Sequence, residues 1–370
     1  MPSVERAPVM IDFGQYLSKE AIGRKRSQLK ELRPYFDMPG MISFGGGLPH
    51  PSTWPVNGMT LSIPFAGKSV FVPGYASKSV DSLLPLEEYT VPLKTESLAP
   101  DLANELQYGS TYGPAHFTNW VKEHIQRIHA PRYDQWQVLC TAGNTDGMDA
   151  VMRTCLDRGD YMLVEEFAYP GLLSPAASLG YRCLGVPVDW EGVDAIALDT
   201  IMATWDVKQR GGSPPKMLVM VPPNGADSPI VPSFLSLDTE GRVIRVDSFS
   251  KIVAPGSRAG FITGHKFLVE KIMTSRESAT QCPSGFSVAA ITAILRAWGG
   301  HDGFEREYLP HISDVYKKRC ESMISHLKRY VPAAAVEWPI PTGGMFLWVR
   351  LKIESHPSFP ALSPQEISSQ

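Results

Sequence analysis

The sequence predicts an α/β protein built on a mostly parallel β-sheet with helices on both faces. From about residue 100, short apolar or β-branched runs alternate with stretches of helical periodicity. This alternation is typical of parallel sheets, whose ligands bind at the carboxyl ends of the strands. With 370 residues, of which 43% are hydrophobic, the chain is long enough for a large domain and a smaller second one.

The chain divides into three parts by composition. Residues 1–99 form an N-terminal arm and segment rich in Pro, Gly and Ser, with a helix expected at Ser18–Tyr35. Residues 100–310 form the large domain, and residues 311–370 begin an incomplete small domain with a charged helix. The expected helices are Phe117–Ile128, Asn144–Leu156, Gly171–Leu179 and Val315–Tyr330, and the expected strands are Gln137–Cys140, Tyr161–Val164, Met217–Val221, Val243–Val246, Gly260–Ile262 and Gly344–Val349.

Charge and cysteine usage exclude several classes of protein. The net charge is -3, which indicates no nucleic-acid or membrane partner. The basic run at Arg24–Arg26 is read as the solvated face of an amphipathic helix rather than a nuclear signal. No stretch is long and apolar enough for a signal peptide or a membrane span, and the five cysteines are widely spaced. We therefore expect a cytoplasmic protein without a disulfide framework or a zinc site.

A cluster of polar residues follows the expected strand Val243–Val246. Ser248 and Ser250 supply hydroxyls, Lys251 supplies an amine and Arg258 supplies a guanidinium. Hydroxyls and a guanidinium bind a phosphate monoester, and a lysine amine forms a Schiff base with an aldehyde. Pyridoxal 5'-phosphate (PLP) carries both groups, so the cluster predicts a PLP site. The alternative is a strand that ends in a polar turn with a solvated lysine.

This string of residues resembles the lysine signature of fold type I, class I/II, PLP-dependent aminotransferases. Ser-Phe-Ser-Lys is followed, seven residues after Lys251, by Arg258, with Pro-Gly between them. The similarity is greatest to the fungal aromatic and 2-aminoadipate (kynurenine) aminotransferases and runs from about residue 12 to 352. It implies the fold type I architecture, with Lys251 as the catalytic residue that holds the aldehyde and moves the proton. It also implies transfer of an amino group between an amino acid of these classes and a 2-oxo acid.

Two loops at predicted strand ends complete the expected cofactor site. The loop that opens the helix at residue 144 would direct backbone N–H groups at an anion. By resemblance this loop is the phosphate cup, with Gly143, Asn144 and Thr145 at the binding positions, although plain helix capping explains the same residues. Tyr169 matches the family tyrosine that stacks on the pyridine ring. The alternative for Tyr169 is a tyrosine packed at a loop corner.

Two earlier segments resemble family motifs that complete the active site. Tyr108 matches a tyrosine that reaches the phosphate of the partner subunit, which implies a homodimer; a core tyrosine is the alternative. Gly47, the last residue of three consecutive glycines, matches the glycine that lies against the substrate carboxylate. A simple turn would use these glycines too.

The sequence departs from the family pattern in two places. The family's Asn-Pro-Thr-Gly loop, and the aspartate that keeps the pyridine nitrogen protonated, are not legible between Met220 and the lysine motif. We take Asn224 as the remnant of the asparagine loop and leave Asp227 without a role. The chain is therefore expected to be shortened near residue 224. It is also expected to be shortened at the C-terminus, where the family arginine that binds the substrate carboxylate is absent and Arg350 is expected to be a surface residue.

Three functions remain open on the sequence. An aminotransferase is favoured, and a shortened, impaired homologue is the main rival for activity. An effector-binding module of the same fold is less favoured, because no helix-turn-helix segment precedes the domain. No metal site is expected.

Overall fold

The structure is a computed structural model, and it describes most of the chain. The described residues are 11–32, 35, 38–42, 45, 47–67, 86–95, 101–189, 192–221, 232–339, 341 and 345–353. Asn224 and Asp227 lie outside them.

Helices and strands alternate through the central part of the chain. The helices are α1 Lys19–Gly23, α2 Gln28–Glu31, α3 Leu102–Glu105, α4 Ala115–Ile128, α5 Asn144–Cys155, α6 Pro170–Leu179, α7 Ala195–Ala203, α8 Val207–Arg210, α9 Phe234–Leu237, α10 Lys266–Glu277, α11 Gly285–Ala297, α12 Gly300–Asp302, a π-helical segment Gly303–Tyr308, and α13 Leu309–Tyr330. The strands are β1 Gly58–Pro64, β2 Leu86–Pro92, β3 Trp136–Thr141, β4 Tyr161–Glu165, β5 Arg182–Val186, β6 Val188–Asp189, β7 Gly192–Val193, β8 Leu218–Val219, β9 Arg245–Ser248, β10 Gly260–His265, β11 Val336–Glu337 and β12 Arg350–Leu351.

The central strands form two three-stranded sheets. In the sheet β3-β10-β9, β10 runs antiparallel to both neighbours, so β3 and β9 are parallel to each other. The sheet β5-β4-β8 is parallel throughout. The expected α/β fold with mostly parallel strands is confirmed. Hydrogen bonding among the described strands is nevertheless interrupted between β8 and β9.

Helix α5 packs both sheets into one hydrophobic core. Ala150 and Met152 of α5 share a buried cluster with Leu139 of β3, Ile262 of β10 and Met162 of β4. Each of these side chains is at most 2% exposed. Full burial of a large apolar side chain contributes about 1.5–3 kcal/mol. This cluster therefore holds the two sheets together, although their described strands do not pair with one another.

The chain folds as two compact units. The larger comprises Met1–Ile63, Leu86–Val221 and Pro232–His301, and the smaller comprises Pro64–Pro85, Pro222–Val231 and Asp302–Gln370. The described residues that are expected to bind the cofactor lie in the larger unit. In the smaller unit, α13 is the longest described helix and β11 pairs with β12. The functional boundaries at residues 99 and 310 stay a prediction.

Most of the expected elements form within a few residues of their predicted bounds, but two do not. The single helix expected at Ser18–Tyr35 is broken, because α1 ends at Gly23 and Arg24 has extended backbone. The guanidinium of Arg24 donates to Ser278 Oγ at 2.7 Å, and this tertiary contact competes with continued helix. The strand expected at Gly344–Val349 forms later, as β12. Arg350 of β12 pairs with Glu337 at 3.0 Å on the surface, as expected.

Candidate active site

The register of the first sheet brings two of the predicted loops together. Gly260, the first residue of β10, lies opposite Thr141 of β3 on one side and Ser248 of β9 on the other. β3 ends at Thr141, just before Gly143, and β9 ends at Ser248, just before Lys251. Both strands thus end level with Gly260. The predicted phosphate loop and the predicted lysine turn therefore start side by side at the carboxyl edge of the sheet.

The phosphate loop lies in close contact with the end of β9 and the start of β10. Gly143 is the N-cap of α5 and has a φ of 98° and a ψ of 176°, a conformation that only glycine adopts readily. A Cβ added to Gly260 would lie 3.1 Å from the Gly143 Cα and 3.1 Å from the Ser248 Cβ. Small residues are needed here because three segments of backbone meet.

The backbone N–H groups at the start of α5 form an anion-binding arrangement. Asn144 and Thr145 are the first two residues of the helix, and both are exposed. The first N–H groups of a helix lack partners inside the helix and lie at its positive end. The start of α5 is therefore suited to a phosphate group.

Arg258 closes the loop on one side. It adopts the left-handed conformation with a φ of 46°, and its Nη2 donates to the carbonyl oxygen of Ala142 at 2.8 Å. A Cβ added to Gly143 would lie 2.8 Å from the same Nη2. The guanidinium thus lies directly against the loop that is expected to hold the phosphate.

The turn that carries Lys251 is anchored by its neighbour Phe249. Phe249 is 2% exposed and packs its ring against those of Phe117, Trp120 and Phe261 at centroid distances of 5.7–6.2 Å. Its carbonyl oxygen accepts from the N–H of Val253 at 2.8 Å. Lys251 itself is exposed on this turn, while Ser248 and Ser250 are partly buried. Phe249 is therefore a positioning residue for the turn that carries Lys251. The sequence motif alone did not indicate this role.

The remaining predicted residues lie at loops of the larger unit. Tyr169 precedes α6 and is 50% exposed, and its ring covers Gly171, where an added Cβ would be 2.3 Å from the tyrosine Cε1. Tyr108 is 58% exposed, so the alternative of a core tyrosine does not hold for this chain. Gly47 has a φ of 59°, as a turn or a close backbone approach requires.

Two acidic residues near the loops were not singled out from the sequence. Asp146 Oδ2 accepts from the N–H of Ala142 at 2.9 Å, and Asp146 Oδ1 accepts from Arg276. Glu165, at the end of β4, accepts from the N–H of Val221 at 3.3 Å. Burial raises the pKa of Glu165, and the Val221 N–H acts in the opposite direction. The position of Asp146 in the first turn of α5 is the signal that would have revealed it.

Comparisons with known proteins decide the family. No family model matches the chain. An aromatic amino acid aminotransferase of Schizosaccharomyces pombe is 30% identical over 402 aligned positions, which cover 93% of this chain and 82% of the relative. The kynurenine/alpha-aminoadipate aminotransferase of Bos taurus is 27% identical and covers 92% of this chain and 85% of its own length. The crystal structure of aminotransferase Aro8 from Candida albicans has a TM-score of 0.83 at 30% identity, over 96% of this chain and 84% of its own.

The chain belongs to the fold type I PLP-dependent aminotransferases. The expected family, fold, cofactor and transferase activity are thereby confirmed. The alignment of 402 positions is longer than this 370-residue chain, so the relative carries residues that have no counterpart here. This agrees with the internal shortening expected from the sequence.

The residues at the sheet edge fit the cofactor of this aminotransferase. The helix N-terminus, the serine hydroxyls and Arg258 supply donors for a phosphate, and the absence of a side chain at Gly143 lets the Arg258 guanidinium lie against the start of the helix. Lys251 stands on the neighbouring turn, where an amine can meet the aldehyde. No helix among the described residues is both long and apolar enough to cross a membrane.

Proposed function

We propose that this aminotransferase moves the amino group of an aromatic amino acid, kynurenine or 2-aminoadipate to a 2-oxo acid. The relatives named for these substrates support the choice. The observation that carries the site assignment is the close packing of Gly143, Ser248 and Gly260, with Arg258 against Gly143. This packing joins two distant parts of the sequence into one site for the phosphate and the aldehyde of PLP.

The phosphate is held by charge and by donors from both loops. Gly143, Asn144 and Thr145 contribute the helix N-terminus, Ser248 and Ser250 contribute hydroxyls, and Arg258 contributes its guanidinium. In this arrangement Arg258 keeps its Nη2 hydrogen bond to the Ala142 carbonyl oxygen and offers other N–H donors of its guanidinium to the phosphate. Asn224, outside the described residues, is proposed as a further cofactor ligand.

The reaction depends on Lys251. When bound, PLP supplies an aldehyde that reacts with amines and a pyridine ring that withdraws electrons. Lys251 Nζ would remove the proton from the substrate α-carbon as general base and deliver it, as general acid, to the carbon that carried the aldehyde oxygen. Tyr169 would cover one face of the ring, and Gly47 would lie against the substrate carboxylate.

An amino-transfer assay tests the function. Purified protein with PLP is incubated with tyrosine, kynurenine or 2-aminoadipate and 2-oxoglutarate, and the new 2-oxo acid and glutamate are measured. We expect both products in equal amounts, and we expect Lys251→Ala to form neither. Equal product formation by the wild type and Lys251→Ala would contradict the proposed role of the lysine.

A homodimer completes the proposed site through Tyr108. Its hydroxyl would donate to the phosphate in the partner subunit, and loss of one hydrogen bond to a charged acceptor costs about 1.5–3 kcal/mol. We expect sedimentation of the wild type to show a dimer and Tyr108→Phe to weaken PLP binding by roughly ten- to a hundredfold. Tyr35→Phe, at another exposed tyrosine, serves as the control. A folded monomer that binds PLP normally would refute this assignment.

We propose a cytoplasmic location for this enzyme. The support is chemical, since all five cysteines are free thiols and two of them, Cys140 and Cys155, are buried. Free thiols are maintained in reducing compartments.

A further inference from the structure

A buried ion pair lies behind the proposed phosphate loop. Arg276, near the end of α10, donates from its Nη2 to Asp146 Oδ1 and to Thr280 Oγ1. The Arg276 side chain is 6% exposed and the Asp146 side chain 14% exposed. Because both groups are largely withdrawn from water, the pair requires good geometry to be stable, and removal of one partner leaves a buried charge uncompensated.

The same carboxylate fixes the backbone just before the loop. Asp146 Oδ2 accepts from the N–H of Ala142 at 2.9 Å. The carbonyl oxygen of Ala142 accepts from Arg258 Nη2 at 2.8 Å. Both polar groups of this one residue are therefore held by side chains, and the next residue is Gly143, the N-cap of α5. The orientation of the loop N–H groups follows from how Ala142 is held.

The charge of Asp146 also requires a partner at this position. A carboxylate in the first turn of a helix is favourable for the helix alone, but it lies near the place where a phosphate dianion is to bind. Like charges at close range oppose binding. Arg276 compensates this carboxylate at Oδ1 while Oδ2 accepts from the N–H of Ala142, so that Asp146 can hold the loop without opposing the phosphate.

We propose that Arg276 and Asp146 are positioning residues that fix the phosphate loop of this aminotransferase for the phosphate of its cofactor. The two side chains act through Ala142 and Gly143 and do not touch the cofactor themselves. This inference rests on the proposed phosphate site, and it adds a specific consequence. Loss of the pair weakens binding of the phosphorylated cofactor and spares binding of the same aldehyde without its phosphate.

The test compares PLP with pyridoxal, which lacks the phosphate. Affinities for both are measured by titration of the visible absorbance of the wild type, Arg276→Gln, Asp146→Ala and Asp146→Asn. We expect Arg276→Gln and Asp146→Ala to lose about tenfold in PLP affinity, the equivalent of one hydrogen bond to a charged group. Pyridoxal affinity is expected to stay within about twofold. Asp146→Asn keeps an acceptor for the Ala142 N–H, so its loss should be smaller than that of Asp146→Ala.

A matched control comes from the same helix. Arg153 pairs with Asp149 at 2.9 Å on α5, but the two side chains are 40% and 34% exposed and Arg153 lies in the last turn of the helix, away from the loop. Arg153→Gln should therefore leave both affinities unchanged. If Arg276→Gln does not fold, the pair Asp146→Ala and Asp146→Asn decides the question alone.

The outcomes separate this proposal from the proposed site. Unchanged PLP affinity in Arg276→Gln and Asp146→Ala, with a loss in Arg258→Ala, overturns the positioning pair and leaves the site standing. Equal fractional losses for PLP and pyridoxal also overturn it, because they indicate a general structural role. Failure of the wild type to bind PLP overturns both the site and the pair.

Discussion

Lys251 and its neighbours have different roles at the proposed cofactor site. Phe249 is buried in an aromatic cluster and fixes the turn, whereas Lys251 is exposed on it. Arg258 is placed by its own left-handed backbone and by the carbonyl oxygen of Ala142. The chemistry of the lysine, serine and arginine could be predicted from the sequence, because few kinds of site combine these residue types within a dozen residues. The role of Phe249 could not, because an apolar residue in a motif carries no chemical signature.

The first residue-scale prediction concerns the covalent link. Treatment of the PLP-loaded protein with borohydride should fix the cofactor on Lys251, as located by peptide mass spectrometry. Lys251→Ala should abolish the link but retain most of the phosphate affinity, since the serines and Arg258 bind the anion. Lys266→Ala, at an exposed lysine on α10, is the control and should label normally. Label on a lysine other than Lys251 would remove the central assignment.

A second residue-scale prediction concerns pH and His129, at the end of α4. Burial, with a contribution from Arg245, lowers the pKa of His129 to about 4. An unfolded histidine titrates near 6.5, so the unfolded state binds the proton more strongly. Stability from this residue is complete above about pH 6.5 and is lost as the pH falls toward 4.

The measurement is denaturant unfolding of the wild type and His129→Gln between pH 4.5 and 7.5. The free energy of unfolding of the wild type should fall more steeply toward low pH than that of the variant. Parallel curves would show that His129 does not titrate differently in the folded protein.

At the scale of elements, the loop between β3 and α5 depends on backbone geometry. The expected strands and the helices of the large domain form close to their predicted bounds because apolar periodicity and burial agree. The break between α1 and α2 was missed because it comes from tertiary contacts of Arg24, which a local pattern does not contain. The pair of Arg276 with Asp146 was missed for the same reason, since 130 residues separate the two.

The element-scale prediction is a glycine substitution in the phosphate loop. Gly143→Ala places a side chain in a glycine-only backbone region, at a cost of about 1–3 kcal/mol, and drives it against Arg258. We expect PLP affinity to fall by about tenfold or more. Gly256→Ala is the matched control, because an added Cβ there meets no atom within 4 Å. Titration with PLP decides, and equal affinities for the two variants would contradict the proposed loop.

At the scale of the whole molecule, the central strands form two separate sheets, and the gap between them lies where the sequence lacks the family's asparagine loop. The described strands stop pairing between β8 and β9, and the described part of the connection, residues 220–221 and 232–244, contains the short helix α9. The sequence alone indicated that the chain departs from the family pattern near Asn224. It did not indicate how the two three-stranded sheets are held together. The core around α5 supplies that account, because it contacts strands of both sheets.

The last prediction follows from this division. We expect the family aspartate that protonates the pyridine nitrogen to have no counterpart in the described part of the connection between β8 and β9. The aspartate described there, Asp238, accepts from the N–H groups of Gly241 and Val243. A missing buried charged partner costs about 3–5 kcal/mol, and each 1.4 kcal/mol is tenfold in rate. We therefore expect conversion of bound PLP to its pyridoxamine form by tyrosine to be at least about a hundredfold slower than in the Candida albicans Aro8 protein, with PLP binding retained. Rapid mixing followed by visible absorbance measures this step. Equal rates would show that another acid has replaced the aspartate. Glu165→Gln, at the half-buried carboxylate beside Val221, would then be the variant that slows the reaction and shifts the absorbance of the bound cofactor.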